Sequence, residues 1–250
     1  MIAPKFPMAK PAEMVSSILP TRDRPRFFRQ ALRYFERQSY PNRELVVVDD
    51  GENPVGKWCE GRERVRYLRL ERATPLGTKM NLGIERARGS ILVKTDDDDY
   101  YHPEFLGAAA ARLRQGESDR QMVAWDCFLV LVAGEEELRF SGHGWAAGGT
   151  LCFSRRLWER APFRDVPKSV DRWFLEDHGC RCAGVCEPEM YILVRHGRNT
   201  WTRMDTWETD DWLRRQPVHH KAIEELMPPE DARFYRKLRY QGNATSGLRP

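Results

Sequence analysis

Ile91-Leu-Val-Lys-Thr-Asp96-Asp97-Asp98-Asp99 is the stretch on which both fold and chemistry turn. Ile91, Leu92 and Val93 are branched or bulky and follow Gly89, so they read as a short buried strand. The strand ends in four consecutive carboxylates. Adjacent aspartates repel one another and resist burial unless a cation sits among them. Hard divalent cations such as Mg²⁺ or Mn²⁺ take carboxylate oxygens and share them with phosphates. The end of this strand therefore reads as a place for a metal ion and a diphosphate. A solvated acidic loop is the plain alternative for a charge run. The position of the run at the mouth of a buried strand, where open α/β sheets hold ligands, favours the site.

Upstream, the same pattern recurs. Val15 to Leu19 reads as a first strand, stopped by Pro20, and Pro25 suits the start of a helix. Phe27, Phe28, Ala31, Leu32 and Phe35 share one face of that helix, and Arg26, Arg29, Arg33 and Arg37 lie elsewhere. Leu45 to Val48 is a second apolar run, which also ends in acid at Asp49 and Asp50. Its continuity fits a parallel strand covered on both faces. Val65 to Leu70 reads as a strand, Leu76 to Ala87 as a helix, and Pro103 opens another helix. Strand and helix alternating in this order predict an open, mostly parallel sheet.

Downstream the pattern changes. Met122 to Val132 and Leu138 to Phe140 read as antiparallel strands joined by an acidic turn. A Gly-rich stretch runs from Gly142 to Gly149, followed by a strand at Thr150 to Phe153 and a short helix at Ser154 to Glu159. Val170 to His178 reads as a helix and Val185 to Val194 as one strand. Residues 205–250 read as a helical C-terminal extension with Trp207, Trp212, Leu213, Ile223, Leu226, Phe234 and Tyr235 as packing residues. Residues 1–13 read as a loose arm.

The chain has 250 residues, of which 41% are hydrophobic, so a packed globule is expected and disorder is not. The net charge of +4 is too small to argue for nucleic acid by itself. No apolar run reaches membrane-spanning length and no signal-peptide pattern is present, which predicts a cytoplasmic location, at most peripheral to a membrane. In that compartment Cys59, Cys127, Cys152, Cys180, Cys182 and Cys186 are expected as thiols.

Four segments together carry a family resemblance. They are Val15-Ser-Ser-Ile-Leu-Pro-Thr-Arg-Asp-Arg-Pro, Gln38-Ser-Tyr-Pro-Asn-Arg-Glu-Leu-Val-Val-Val-Asp-Asp-Gly, Asn81-Leu-Gly-Ile-Glu-Arg-Ala-Arg-Gly, and Asp96-Asp-Asp-Asp-Tyr-Tyr-His-Pro-Glu-Phe-Leu. In this order and spacing, over roughly residues 14–200, the chain resembles family 2 glycosyltransferases. The resemblance implies a GT-A fold, with a Rossmann-like, mostly parallel central sheet flanked by helices and a smaller antiparallel acceptor-side part. It places that domain at 14–204, with a nucleotide-sugar half at 14–103 and an acceptor half at 104–204. It implies a UDP- or GDP-sugar donor bound with Mn²⁺ or Mg²⁺. Pro20, Thr21 and Arg22 would sit beside the nucleotide, Asp49 would reach the base or ribose, and Asp50 would stand next to it. Asp96 and Asp98 match the family's spaced metal-site pair, Asp98 touching the ion most directly, with Asp96 and Asp97 also on the donor side. Lys79 lies in the helix that flanks the donor, where its charge faces either the diphosphate or solvent.

An inverting transfer also needs a carboxylate to take the acceptor's proton. The family places it in a Glu-Asp pair after the Gly-rich strand and a Pro-Phe segment. Asp171 has that spacing from Phe163 but follows Val170, whereas Glu176-Asp177 is a true pair that falls about two turns late. Six residues apart, Asp171 and Asp177 do not share a helical face. His196, beside Arg195, Arg198 and Asn199 at the end of a strand, resembles the C-terminal histidine many GT-A enzymes hold near the metal; a structural histidine is the alternative. Cys180, Cys182 and Cys186 have a spacing too irregular for a closed zinc site. Trp145, Trp173 and Trp201 are sugar-stacking or packing residues.

The expected function is metal-dependent transfer of a sugar to an acceptor hydroxyl. Two rivals remain: a nucleotidyltransferase that makes nucleotide-sugars, and a non-catalytic module that binds them. Pro20-Thr-Arg-Asp-Arg-Pro lacks the Gly-rich phosphate loop of the first, and four intact aspartates speak against the second. The acceptor is left open among a lipid-linked saccharide, a polysaccharide, a peptide and modified DNA. Arginines at 22, 24, 26, 29, 33, 37, 62, 64, 66, 69 and 72 raise contact with an anionic surface, against the plainer reading of solubility.

Overall fold

The computed structural model describes residues 13–115, 122–142, 146–179, 182–199, 213 and 215–240. Its first half holds β1 (Val15–Thr21), α1 (Pro25–Arg37), β2 (Arg43–Asp49), β3 (Val65–Arg69), α2 (Leu76–Arg86) and β4 (Ile91–Lys94). Then come β5 (Tyr100–Tyr101), α3 (Phe105–Gln115), β6 (Met122–Cys127), β7 (Leu129–Val132), β8 (Leu138–Phe140) and β9 (Cys152–Ser154). The rest comprises α4 (Arg155–Arg160), α5 (Val170–His178), β10 (Ala183–Cys186), β11 (Tyr191–Arg195), α6 (Ile223–Leu226) and α7 (Pro229–Arg236).

The larger sheet has the order β10-β6-β9-β4-β1-β2-β3. All its pairs are parallel except those that β9 makes with β4 and β6. β1 and β2 are buried along their whole length because both faces are covered. Leu19, Leu45 and Val47 pack with Phe28, Ala31, Leu32 and Phe35 of α1, while Ile18 and Val46 pack with Met80 and Ile84 of α2. Alternation within each apolar run thus feeds two cores. β1 does not stop before Pro20 but continues to Thr21. Its pairing with β4 ends at Ile18, so beyond that point only the β2 side is laddered and a residue without an N–H is tolerated.

Two runs expected as single strands are divided between sheets. Met122 to Val132 breaks at Phe128, whose N–H donates to Ser141 Oγ at 3.0 Å and whose carbonyl accepts from the Ser141 N–H at 2.9 Å. Val185 to Val194 breaks at Pro188, in a 3₁₀ turn over Pro188–Met190. β6 and β10 pair in the large sheet, and their continuations β7 and β11 pair in a smaller sheet of order β5-β11-β7-β8. The acidic turn at Glu135 to Glu137 joins β7 to β8 as an antiparallel pair, as read from the sequence.

The C-terminal segment packs against α1 and the smaller sheet: Ile223, Met227, Ala232 and Tyr235 share a core with Tyr34, Leu129, Leu131 and Val194. Asp231 is fully buried and accepts from Gln30 at 2.6 Å and Arg33 at 2.8 Å, with Arg37 also on it. Trp145, Trp201, Trp207, Trp212 and Cys180 lie outside the described residues. No helix among the described residues is long and apolar enough to cross a membrane.

Candidate active site

The C-terminal ends of β1, β2 and β4 lie side by side because these strands are parallel neighbours. A cavity of about 870 Å³ opens over them and extends to Gly148, Gly149 and the start of α5. Asp96, Asp97, Asp98 and Asp99 all line it; only Asp96 is more than slightly exposed. The acidic run is therefore not a solvated loop.

Each carboxylate has its own partners. Lys94 Nζ donates to Asp96 Oδ1 at 2.5 Å. Thr21 Oγ1 donates to Asp97 Oδ2 at 2.7 Å, and Arg24 spans Asp97 Oδ1 at 3.0 Å and Asp98 Oδ2 at 2.9 Å. Asp98 Oδ2 also meets His196 Nε2 at 3.0 Å and accepts from Asn199 Nδ2 at 3.2 Å. Asp99 accepts from the Val194 N–H at 2.8 Å and from the Tyr191 hydroxyl, which ties the strand end to β11.

Burial and charge divide these groups. Burial alone would raise the Asp98 carboxyl, but the Arg24 guanidinium and the His196 bond outweigh it and hold it at about 2. Asp97 is raised: burial, helped by the charge of Asp98, prevails over Arg24. Asp99 is pushed well up by burial and by Asp98 and Asp96. Burial disfavours the Lys94 ammonium, but Asp96 and Asp171 more than compensate, so its pKa is raised and it stays charged.

Pro20, Thr21, Arg22, Asp50 and Lys79 line the same cavity. Lys79 is not solvated: it is buried, and its Nζ donates to Asp50 Oδ1 at 2.8 Å, while the Thr74 N–H holds Asp50 Oδ2 at 2.8 Å. Asp49 lies outside the lining. It is fully buried and accepts from the Gly51 and Val55 N–H groups and from the Tyr67 hydroxyl, so it shapes the loop after β2.

Asp171, in the first turn of α5, faces the cavity. A Cβ on Gly148 would stand 2.4 Å from Asp171 Oδ2, and one on Gly149 would stand 2.7 Å from Asp96 Oδ2. The two carboxylates thus close on a bare backbone. Asp177 sits away from the cavity lining, exposed and bonded to Arg164 at 2.9 Å. His196 is buried, stacked on Phe27 at 4.6 Å, and reaches the cavity through Asp98. Trp173 meets the guanidinium groups of Arg164 and Arg172 and is absent from the lining. Cys182 is half-buried, with its Sγ 3.9 Å from the Ala183 carbonyl, and Cys186 is exposed.

A hard divalent ion fits this donor set. Asp96 and Asp98 offer carboxylate oxygens to one cavity, with an imidazole nitrogen against Asp98. Three donors already share Asp98 Oδ2, and Arg24 is the one an incoming cation would repel. From the sequence, Arg24 counts only as one arginine of a basic face and Gly148-Gly149 only as part of a Gly-rich stretch, and Lys94 is given no role. Lys94 alternates with Asp96 at the strand end, and Arg24 caps α1 three residues beyond Thr21, which are the signals that could have marked them.

Residues 16–129 match the family described as Glycosyl transferase family 2. The chain resembles the family 2 glycosyltransferases. Among curated relatives of this glycosyltransferase-like chain, glycosyltransferase GlyG of Streptococcus pneumoniae is 24% identical over 113 residues, 43% of this chain and 38% of its own length. GalNAc(5)-diNAcBac-PP-undecaprenol beta-1,3-glucosyltransferase of Campylobacter jejuni is 26% identical over 137 residues, 52% of this chain and 43% of its own. The chain thus spans less than half the length of these two relatives. Among solved structures, the mannosyltransferase PcManGT of Pyrobaculum calidifontis, in complex with GDP-Man and Mn²⁺, is 17% identical with a TM-score of 0.62, covering 91% of this chain and 70% of that one. S. aureus TarS in complex with UDP is 18% identical with a TM-score of 0.55, covering 72% and 60%. At these identities the likeness shows the fold, which is the GT-A fold expected from the sequence.

Proposed function

We propose that the chain transfers a sugar from a UDP- or GDP-linked donor to an acceptor hydroxyl, with inversion at the anomeric carbon. One observation carries this reading: the carboxylate-lined end of β4 and the carboxylate of Asp171 face each other across one cavity. The fold supports it, since neighbours of the same fold bind UDP or GDP-Man.

In this reading Pro20, Thr21 and Arg22 flank the nucleotide, and the Asp50–Lys79 pair closes that end of the cavity as a neutral unit. Asp96, Asp98 and His196 would hold Mn²⁺ or Mg²⁺, which when bound supplies charge neutralisation to the diphosphate. Asp171 accepts the proton of the acceptor hydroxyl as that oxygen attacks the anomeric carbon. Asp171 lies in the first turn of α5, within electrostatic reach of the Lys94 ammonium. Asp177, paired with Arg164 and outside the cavity lining, is not assigned this role. A saccharide hydroxyl is the acceptor best supported, because the Campylobacter jejuni relative is named for transfer to a lipid-linked glycan.

The test is release of UDP or GDP from a panel of nucleotide-sugars by the whole chain, with Mn²⁺, with Mg²⁺ and with EDTA. Turnover is expected with one donor class, lost in EDTA and lost in Asp98→Asn at an unchanged circular dichroism spectrum. Equal turnover in EDTA would remove the metal from the reading. Failure to release nucleotide from every donor, with a saccharide acceptor mixture present, would remove the transferase.

A further inference from the structure

We propose that Glu189, His219 and His220 form a second divalent-metal site, of zinc type, that ties the C-terminal segment to the turn leading into β11. The three side chains lie outside the cavity lining, and their ligand atoms fall within 4.8 Å of one another. They come from two separate parts of the chain. Glu189 sits in the 3₁₀ turn Pro188–Met190 between β10 and β11. His219 and His220 follow a stretch that runs along β8: the Phe140 N–H donates to the Pro217 carbonyl at 3.0 Å, and the His219 N–H donates to the Leu138 carbonyl at 2.8 Å. The backbone therefore delivers two imidazoles to a carboxylate with no contribution from the active site.

The buried imidazole is already aimed at the carboxylate. His219 is buried, and its Nε2 lies 3.2 Å from Glu189 Oε1. Its Nδ1 is buried with no hydrogen-bond partner. That nitrogen faces away from Glu189, so the Nε2 side of the ring is the one an ion would share with the carboxylate. A cation already occupies the carboxylate: Lys221 Nζ stands 2.7 Å from Glu189 Oε1 and 2.8 Å from Oε2. Lys221 is 36% exposed, so it can swing into solvent when a divalent ion takes its place.

Two imidazole nitrogens and one carboxylate oxygen suit Zn²⁺, Ni²⁺ or Cu²⁺ better than Mg²⁺ or Ca²⁺. Three protein ligands and a water complete four-coordinate zinc. Bonds of about 2.0–2.2 Å bring such ligands closer together than they now stand. The exposed His220 is the side chain free to make that movement.

The experiment uses the tag-free chain, stripped with EDTA, dialysed against Zn²⁺ and assayed for bound metal and for melting temperature. Asp98→Asn serves as background, so that an ion in the active site is not counted. One tight Zn²⁺ per chain is expected in Asp98→Asn and at least one in wild type, with a rise in Tm that EDTA reverses. His220→Ala and Glu189→Gln are expected to lose both, His220→Ala without lowering the Tm of the metal-free chain because that side chain is exposed. Absence of bound Zn²⁺ in wild type, or equal retention by wild type and His220→Ala, overturns the proposal. Loss of the ion in Asp98→Asn alone assigns it to the active site and overturns it equally. Because the readouts are metal content and melting, the result stands apart from whether sugar transfer is observed.

Discussion

Identical neighbours in sequence acquire different work once folded, and Asp96 to Asp99 show how. Asp98 shares one oxygen among Arg24, His196 and Asn199, whereas Asp99 turns inward to the Val194 N–H and the Tyr191 hydroxyl. We therefore expect Asp99→Ala to leave two buried donors unsatisfied and to lower stability by about 1–3 kcal/mol, read by urea melts. Asp99→Asn keeps an acceptor and is expected to lose less. If Asp99→Ala instead melts like wild type and loses donor binding, the tether is misassigned. Across the cavity, substituting the proposed base, Asp171→Asn, should lower kcat strongly and leave donor affinity nearly intact, because a base acts in the transition state. Asp177→Asn should change neither by more than about twofold, as befits an exposed ion pair. Gly148→Ala should mimic Asp171→Asn in part, since its methyl group would displace that carboxylate. The reverse ranking of Asp171 and Asp177 in steady-state kinetics would move the base to Asp177. The acidic strand end could be picked out from residue type and its place after a buried run, and Asp171 only as a candidate through the spacing of the family the chain resembles. Arg24 could not, because its role depends on β11 and the loop after it arriving from about 170 residues away to hold the other side of Asp98.

Elements were most legible where one run of residues answers to one sheet. β1, β2, β4, α1, α2 and α5 all lie within about two residues of their expected bounds, because apolar period and Pro or Gly punctuation act locally. The misreadings fall where a run serves two sheets. Met122 to Val132 and Val185 to Val194 each look continuous, and only the partner strands decide where each divides. Pro188 did mark one of the two breaks; Phe128 carries no such mark, since Ser141, thirteen residues on, supplies the groups that end the ladder. The joint between α1 and α7 was equally hidden. Asp231 looks like an ordinary first-turn acid, yet it is fully buried against Gln30, Arg33 and Arg37. Asp231→Ala would leave Gln30 and two arginines without their common partner. Both arginines are partly exposed and can be rehydrated, so the expected loss is below that of a fully buried pair, about 1–3 kcal/mol. Chemical denaturation checks this; a midpoint shift that instead matches an exposed control such as Glu230→Ala would show that α7 is held by its apolar face alone.

On the scale of the whole molecule, the charge pattern looks different after folding than along the sequence. The arginines of α1, its lead-in and the β3 region suggest a positive face. Yet Arg24 belongs to the site, Arg33 and Arg37 to Asp231, Arg62 to Glu36, Arg66 to Glu44 and Arg69 to Asp49. Much of the local excess is thus matched by carboxylates, most of them brought from other elements. Arg29 is further engaged with the Trp58 ring at 5.9 Å. Of the described arginines in this region, few are left for an anionic surface, each contributing about 1 kcal/mol at most near anionic lipid and screened within a Debye length of about 8 Å at physiological salt. Co-sedimentation with anionic vesicles is therefore expected to show weak retention at low salt and none at about 0.15 M, with neutral vesicles retaining nothing at either salt. A DNA gel shift should follow the same pattern, because phosphate contacts are equally salt-sensitive. Retention on anionic vesicles that persists at the higher salt would mean that the ion pairs of α1 open on contact, and Arg33 and Arg37 would then be the first residues to substitute.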